Sequence, residues 1–165
     1  MSTWSGSCWI PKDKILELLR QRGSTLSLAE SCTGGLVSSL LTRHPASDYL
    51  LGGVVSYSND VKTAQLGVDP ELLAAHGAVS SQVACAMAEG ARARFGSDLA
   101  LSLTGIAGPT GATPGKPVGL VWYALATPEG TRSASITVQN RPREGVQLYS
   151  AWCGLDAIRR YSLGA

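Results

Sequence analysis

Residues 25–45 read TLSLAESCTGGLVSSLLTRHP, and this stretch decides the fold. Thr25–Ala29 is short and alternates polar with apolar, which predicts a strand over 25–29. Glu30-Ser31-Cys32-Thr33-Gly34-Gly35 is a small, polar, glycine-ending turn. LVSSLLTRHP then reads as a helix stopped by Pro45. A strand feeding through a tight turn into a helix is the opening unit of an α/β domain.

Reading outward strengthens that assignment. Upstream, residues 13–23 place Ile15, Leu18 and Leu19 on one helical face, with Gly23 as a natural stop. Downstream, residues 50–58 (LLGGVVSYS) predict a second strand and 59–66 a short helix capped by Asn59. Pro70 opens another short helix. Ser80 or Ser81 caps a longer one over 81–95, whose stripe is Val83, Met87, Ala91 and Phe95. Residues 98–104 alternate as a strand, and a glycine-rich loop runs from Gly105 to Gly119. Strands at 119–127 and 131–138 are joined by Pro128-Glu129-Gly130, a hairpin turn, so this pair is expected to be antiparallel. A last helix spans 143–162. The sum predicts a three-layer α/β/α sandwich around a mixed, mostly parallel sheet.

Size and composition agree with one domain. A 165-residue chain can bury about two-thirds of the surface its unfolded form exposes. With 44% hydrophobic and 16% charged residues it has too much apolar and too little charged matter for disorder. A net charge of +2 with dispersed basic residues argues against nucleic acid as a partner. No apolar run approaches a membrane span and the first eleven residues lack a signal-peptide pattern, so the expected location is cytoplasmic. The four cysteines, Cys8, Cys32, Cys85 and Cys153, form no metal-ligand spacing and are expected to be buried thiols. His44 and His76 stand alone, which disfavours a metal site and a histidine-based triad. Trp4 and Trp9, in an N-terminal extension of residues 1–12, are expected to dock on a core or a partner, and together with Trp152 could line the interface of a homo-oligomer.

Three segments could carry chemistry, each at or after a predicted strand end, where open α/β sheets bind ligands. At Glu30–Gly35 a hydroxyl sits at a helix mouth, whose N–H groups suit a developing oxyanion. The simpler reading makes Ser31 or Thr33 an N-cap. Cys32 is a nucleophile by residue type, but no histidine stands near it in sequence to activate it. At Ser56–Lys62, a lysine in the first helical turn opposes the helix dipole, and if buried there it would lose its proton readily and act as a base. An ordinary surface lysine is the alternative. The third segment, Thr104–Gly119, can aim several N–H groups at an anion, although its spacing is not that of a P-loop.

AESCTGG (29–35), GGVVSYSNDVK (52–62), LGV (66–68), GAVS (77–80) and SLTGIAGPTGATPGKPVG (102–119) together resemble the CinA C-terminal domain family. The likeness is collinear and covers roughly residues 13–160. It implies a five-stranded mixed sheet. It also implies the activity of the family's enzymatic members: hydrolysis of the carboxamide of nicotinamide mononucleotide to nicotinate mononucleotide and ammonia, in pyridine nucleotide salvage, without metal or organic cofactor. The family's nucleophilic serine falls on Ser31 and its catalytic lysine on Lys62. Thr33, Gly34, Gly35, Tyr57, Thr104 and Gly105 fall on pocket positions. The family's arginine ahead of the last helix aligns with Arg143, with Arg141 as the alternative, in a tract where Gly-Asp-Arg gives way to Asn140-Arg141-Pro142-Arg143. The competing reading of the same pocket is a non-catalytic nucleotide-sensing or protein-interaction module linked to competence or DNA damage.

Overall fold

The computed structural model describes residues 12–46 and 48–164. Cys8, Trp4 and Trp9 therefore lie outside the described residues. In chain order the elements are α1 (Lys12–Arg22), β1 (Leu26–Glu30), α2 (Leu36–Leu41), β2 (Leu50–Val55), α3 (Asn59–Leu66), α4 (Pro70–His76), α5 (Ser81–Phe95), β3 (Leu99–Gly105), β4 (Leu120–Thr127), β5 (Gly130–Thr137) and α6 (Arg143–Ser162). The sheet order is β2-β1-β3-β4-β5. β1 pairs in parallel with both β2 and β3, whereas β3–β4 and β4–β5 are antiparallel. Four strands consequently point one way, and only β4 is reversed. This is the mixed, mostly parallel sheet expected.

Alternation along the central strands builds two different faces. Leu26 and Leu28 of β1 and Leu99, Leu101 and Leu103 of β3 meet Ile15 and Leu19 of α1, Val37 and Leu41 of α2, and Ala151, Leu155 and Ile158 of α6. The opposite face carries small residues, Ala29, Ala100, Ala124 and Ala126, and against it lie Val83, Ala84, Met87, Ala88 and Ala91 of α5. Small on small lets α5 lie close enough for the Ser102 hydroxyl of β3 to donate to the Ala84 carbonyl at 2.6 Å.

The same closeness governs α3 against α5. A Cβ built on Gly90 would stand 1.8 Å from the Leu66 carbonyl oxygen. Gly90→Ala must push the two helices apart and is expected to cost about 1–3 kcal/mol, the usual scale of overpacking. Urea unfolding of the variant checks this through a lowered midpoint at an unchanged m-value.

Several boundaries differ from the sequence reading. The cap of α3 is Ser58, whose hydroxyl accepts from the Val61 N–H, and not Asn59. β2 accordingly ends at Val55, because Ser56–Ser58 are needed to turn the chain into α3. α2 stops at Leu41, four residues before Pro45, where the Thr42 hydroxyl binds back to the Ser38 carbonyl at 2.8 Å. Ser80 is the cap of α5. Among the cysteines, Cys32 is a buried thiol and Cys85 a half-buried one. No helix among the described residues is long and apolar enough to cross a membrane.

Candidate active site

Strand register assembles the site. Glu30, the last residue of β1, stands opposite Val55 of β2 and Leu103 of β3. The pairing continues one step further: the Ser31 N–H donates to the Leu103 carbonyl at 2.9 Å, and the Ser56 N–H to the Glu30 carbonyl at 2.8 Å. Ser31, Ser56 and Thr104 are thereby brought to one crevice at the carboxyl ends of three neighbouring strands. β1 leaves for β2 on one side and β3 lies on the other, the place where open α/β sheets form their binding cleft.

Lys62 enters from α3. It is the fourth residue of that helix, and helical side chains lean toward the N-terminus, so its stem runs back under the turn it follows. The amine lies 3.1 Å from Ser31 Oγ, 2.7 Å from the Ser56 carbonyl oxygen and 3.5 Å from that of Tyr57. Lys62 is 1% exposed, and among the described residues no carboxylate pairs with it. Burial pushes its pKa below the ordinary lysine value. All three contacts have the amine nitrogen facing an oxygen, and burial weakens its hold on its proton.

The turn that holds Ser31 is organised by a residue the sequence reading gave no role. Glu30 is 1% exposed. Its carboxylate accepts from the Thr33 hydroxyl (2.7 Å), from the N–H groups of Gly35 (3.1 Å), Val37 (3.0 Å) and Ser38 (2.8 Å), and from the Ser38 hydroxyl (2.7 Å). Neither Ser31 nor Thr33 caps α2. Its N-cap position is Gly35, at φ 97°, and the capping oxygens come from Glu30. A carboxylate displaces the hydroxyls from this role because charge-assisted hydrogen bonds are about twice as strong as neutral ones. The sequence signal was an acidic residue at the end of an apolar strand with no nearby basic partner.

This arrangement also reassigns the oxyanion donors. The N–H of Gly34 is engaged by the Ser31 carbonyl and that of Gly35 by Glu30. Among the described residues no backbone carbonyl accepts from the N–H groups of Cys32 and Thr33; the Cys32 N–H lies against its own thiol. Both follow Ser31 directly. Cys32 itself is no rival nucleophile: burial, with the Glu30 charge adding to it, pushes its thiol up to about 12 against the opposing pull of its own N–H, Lys62 and Arg143.

The remaining residues divide by position. The Arg143 guanidinium donates to the Gly108 carbonyl and to Tyr57 Oη, both at 2.7 Å, tying the start of α6, the glycine-rich loop and the segment after β2 into one rim. Tyr57 is 62% exposed, whereas Thr104 is 1% exposed. The Thr104 hydroxyl proton is committed to the Ala78 carbonyl at 2.8 Å. Gly105 is demanded by β4, since a Cβ there would lie 2.6 Å from Val121 Cγ2 and 2.7 Å from the Leu120 oxygen. Arg141 is exposed, and the arginine hydrogen-bonded to Gly108 and Tyr57 at this rim is Arg143. Gln147 of α6, another residue the sequence did not single out, donates to the Cys32 carbonyl at 2.9 Å. Among the described residues no three His, Cys, Asp or Glu side chains gather as metal ligands. A groove of about 1000 Å³ lies between β5 and α6 and includes neither Ser31 nor Lys62.

The model of the CinA C-terminal domain matches residues 11–162. The chain belongs to the CinA family. A CinA-like protein of Gloeobacter violaceus is 52% identical over 145 residues, covering 87% of this chain and 34% of that protein. A putative competence-damage inducible protein of Symbiobacterium thermophilum is 50% identical over 157 residues, covering 89% of this chain and 37% of its own length. The chain thus spans about a third of the length of the curated relatives it matches. Solved structures match it almost end to end. A CinA superfamily protein from Klebsiella pneumoniae superposes with a TM-score of 0.89 at 29% identity, over 93% of this chain and 96% of that one. A competence/damage inducible protein from Agrobacterium tumefaciens does so with 0.82 at 36%, over 96% and 98%. This CinA domain therefore has the three-layer architecture of its solved relatives.

Proposed function

We propose that this CinA domain is a serine–lysine amidohydrolase that removes ammonia from nicotinamide mononucleotide. The observation that carries the reading is a buried lysine with no carboxylate partner among the described residues, its nitrogen 3.1 Å from a serine oxygen at a strand end. Lysine depleted of its proton beside a hydroxyl is the arrangement of an activated nucleophile.

The chemistry follows from that geometry. Lys62 takes the Ser31 proton as Oγ bonds to the carboxamide carbon. The oxygen that gains charge is met by the N–H groups of Cys32 and Thr33, donors of a kind typically worth ~3–4 kcal/mol each. Lys62 returns the proton to the leaving nitrogen, the C–N bond breaks and ammonia departs. Water, activated by the same amine, cleaves the Ser31 ester to the nicotinate product. The positive pyridinium ring favours attack at the amide carbon and repels a proton from Lys62. No step draws on a metal or an organic cofactor.

Arg143 and the glycine-rich loop are the groups suited to the 5′-phosphate. The guanidinium carries five donors, and its bonds to Gly108 and Tyr57 fix it at the rim. Arg143→Ala is expected to raise KM about tenfold or more while kcat falls by less than about threefold, the signature of lost uniform binding. Steady-state kinetics on nicotinamide mononucleotide check it. The reading as a whole is tested by ammonia release from the purified protein with that substrate. Stoichiometric production of nicotinate mononucleotide supports it. Binding without turnover overturns it in favour of a sensing or interaction module.

A further inference from the structure

We infer that Glu30 is a positioning residue that releases the Ser31 hydroxyl for chemistry by taking over the cap of α2. The inference rests on the serine–lysine reading of the site. A serine at a helix mouth ordinarily lends its oxygen to the N–H groups of the first turn. An oxygen so engaged is held against the helix and cannot also face a base. Here the N–H groups of Gly35, Val37 and Ser38, with the hydroxyls of Thr33 and Ser38, all converge on the Glu30 carboxylate. Among the described residues the Ser31 hydroxyl is hydrogen-bonded only to Lys62.

Position along the chain gives the carboxylate its leverage. Its backbone is fixed in β1 by pairing on both sides. Its side chain reaches residues 33, 35, 37 and 38. The bonds close a ring over the five residues of the Ser31–Gly35 turn, two of which, Gly34 and Gly35, have positive φ. Such a turn has little stiffness of its own, since glycine visits these conformations at no steric cost but with the greatest freedom to lose. Glu30 supplies the stiffness and leaves one hydroxyl outside the ring. That hydroxyl faces Lys62.

Without the carboxylate, three buried or half-buried N–H groups lose their acceptor, and the hydroxyls of the same turn that can replace it are those of Ser31, Thr33 and Ser38. Rotation of Ser31 Oγ toward them breaks the 3.1 Å contact. Glu30→Gln keeps the shape but turns an NH₂ group toward donors, so it forces this competition. Glu30→Asp keeps the charge on a stem one methylene shorter.

Two measurements on the full chain test this. The first is steady-state kinetics on nicotinamide mononucleotide, and the second is the rate at which phenylmethylsulfonyl fluoride sulfonylates Ser31, read by mass spectrometry. In that reaction the Ser31 oxygen bonds to sulfur, fluoride leaves and Lys62 takes the proton, so it reports serine activation without amide turnover. Folded Glu30→Gln is expected to lose about 100-fold or more in kcat with KM changed less than threefold, and to lose Ser31 labelling in parallel. Glu30→Asp should fall between it and the unaltered protein on both readouts. Folded Glu30→Gln with kcat and labelling within threefold of the unaltered protein overturns the inference. If Glu30→Gln does not fold, Glu30→Asp decides: labelling reduced severalfold supports the role, and unchanged labelling ends it. The two proposals fail separately. An unaltered protein that releases no ammonia, yet whose Ser31 labelling drops in Glu30→Gln, removes the amidase and keeps the positioning role. Active protein with indifferent Glu30 variants does the reverse.

Discussion

On the proposed mechanism Ser31→Ala is expected to abolish ammonia release, lowering kcat by at least about a thousandfold, as removal of a covalent nucleophile does elsewhere. The fold should survive. Ser31 is 8% exposed, its side chain is small, and it contributes one hydrogen bond, to Lys62. Losing such a bond costs about 1 kcal/mol. Cys32, next in the chain, does not rescue the reaction, because its buried thiol is pushed up to about 12 and stays protonated. Substrate binding should persist in the variant, since the rim formed by Arg143, Tyr57 and Gly108 does not involve Ser31. The checks are an ammonia assay, calorimetric titration with nicotinamide mononucleotide and a thermal melt. A folded Ser31→Ala protein that turns over within tenfold of the unaltered one would eliminate Ser31 as nucleophile.

Lys62→Met should be nearly as severe, about 10²–10⁴-fold in kcat, the usual contribution of a positioned acid–base group. Methionine preserves the buried stem but cannot hold a proton. On the proposed mechanism the pH dependence of the unaltered protein carries the same information. Burial lowers the Lys62 pKa in the folded protein, and the base must be neutral to act. kcat/KM should therefore climb with pH through a midpoint below the ordinary lysine value of about 10.4. Stability carries a matching sign. Between the lowered folded pKa and the ordinary one, the unfolded chain binds the proton that the folded chain does not. Stability must then rise with pH across that window, and lies at its lower level below the folded pKa. Lys62→Met removes both slopes, which denaturant titrations and rate profiles at several pH values will reveal. A rate of the unaltered protein that stays flat down to where carboxylates titrate would assign the base elsewhere.

Much of the architecture was already legible in the chain. Periodicity of two and of 3.6, with Pro70, Gly23 and the Pro128–Gly130 turn as punctuation, fixes every helix and strand to within a few residues, because alternation and capping are local properties. The errors were local too. Asn59 for Ser58 as the cap of α3, and a helix run on to Pro45, arose where two adjacent polar residues could serve the same turn and only the three-dimensional path chooses. The motif segments could be recognised, and strand ends predicted that they share a crevice.

Sequence alone determined that this is a CinA-type α/β domain with a hydroxyl after its first strand and a lysine opening a later helix, since those features follow from order and spacing along the polymer. Tertiary structure decided which chemistry each group is fit for. Register across β1, β2 and β3 set Ser31 beside Ser56, helix direction turned Lys62 into a dry pocket between two carbonyls, and Glu30 rather than a hydroxyl claimed the end of α2. Proton affinity and hydrogen-bond competition depend on what surrounds a group in space, and residues 31 and 62 become neighbours only when the sheet brings their elements together.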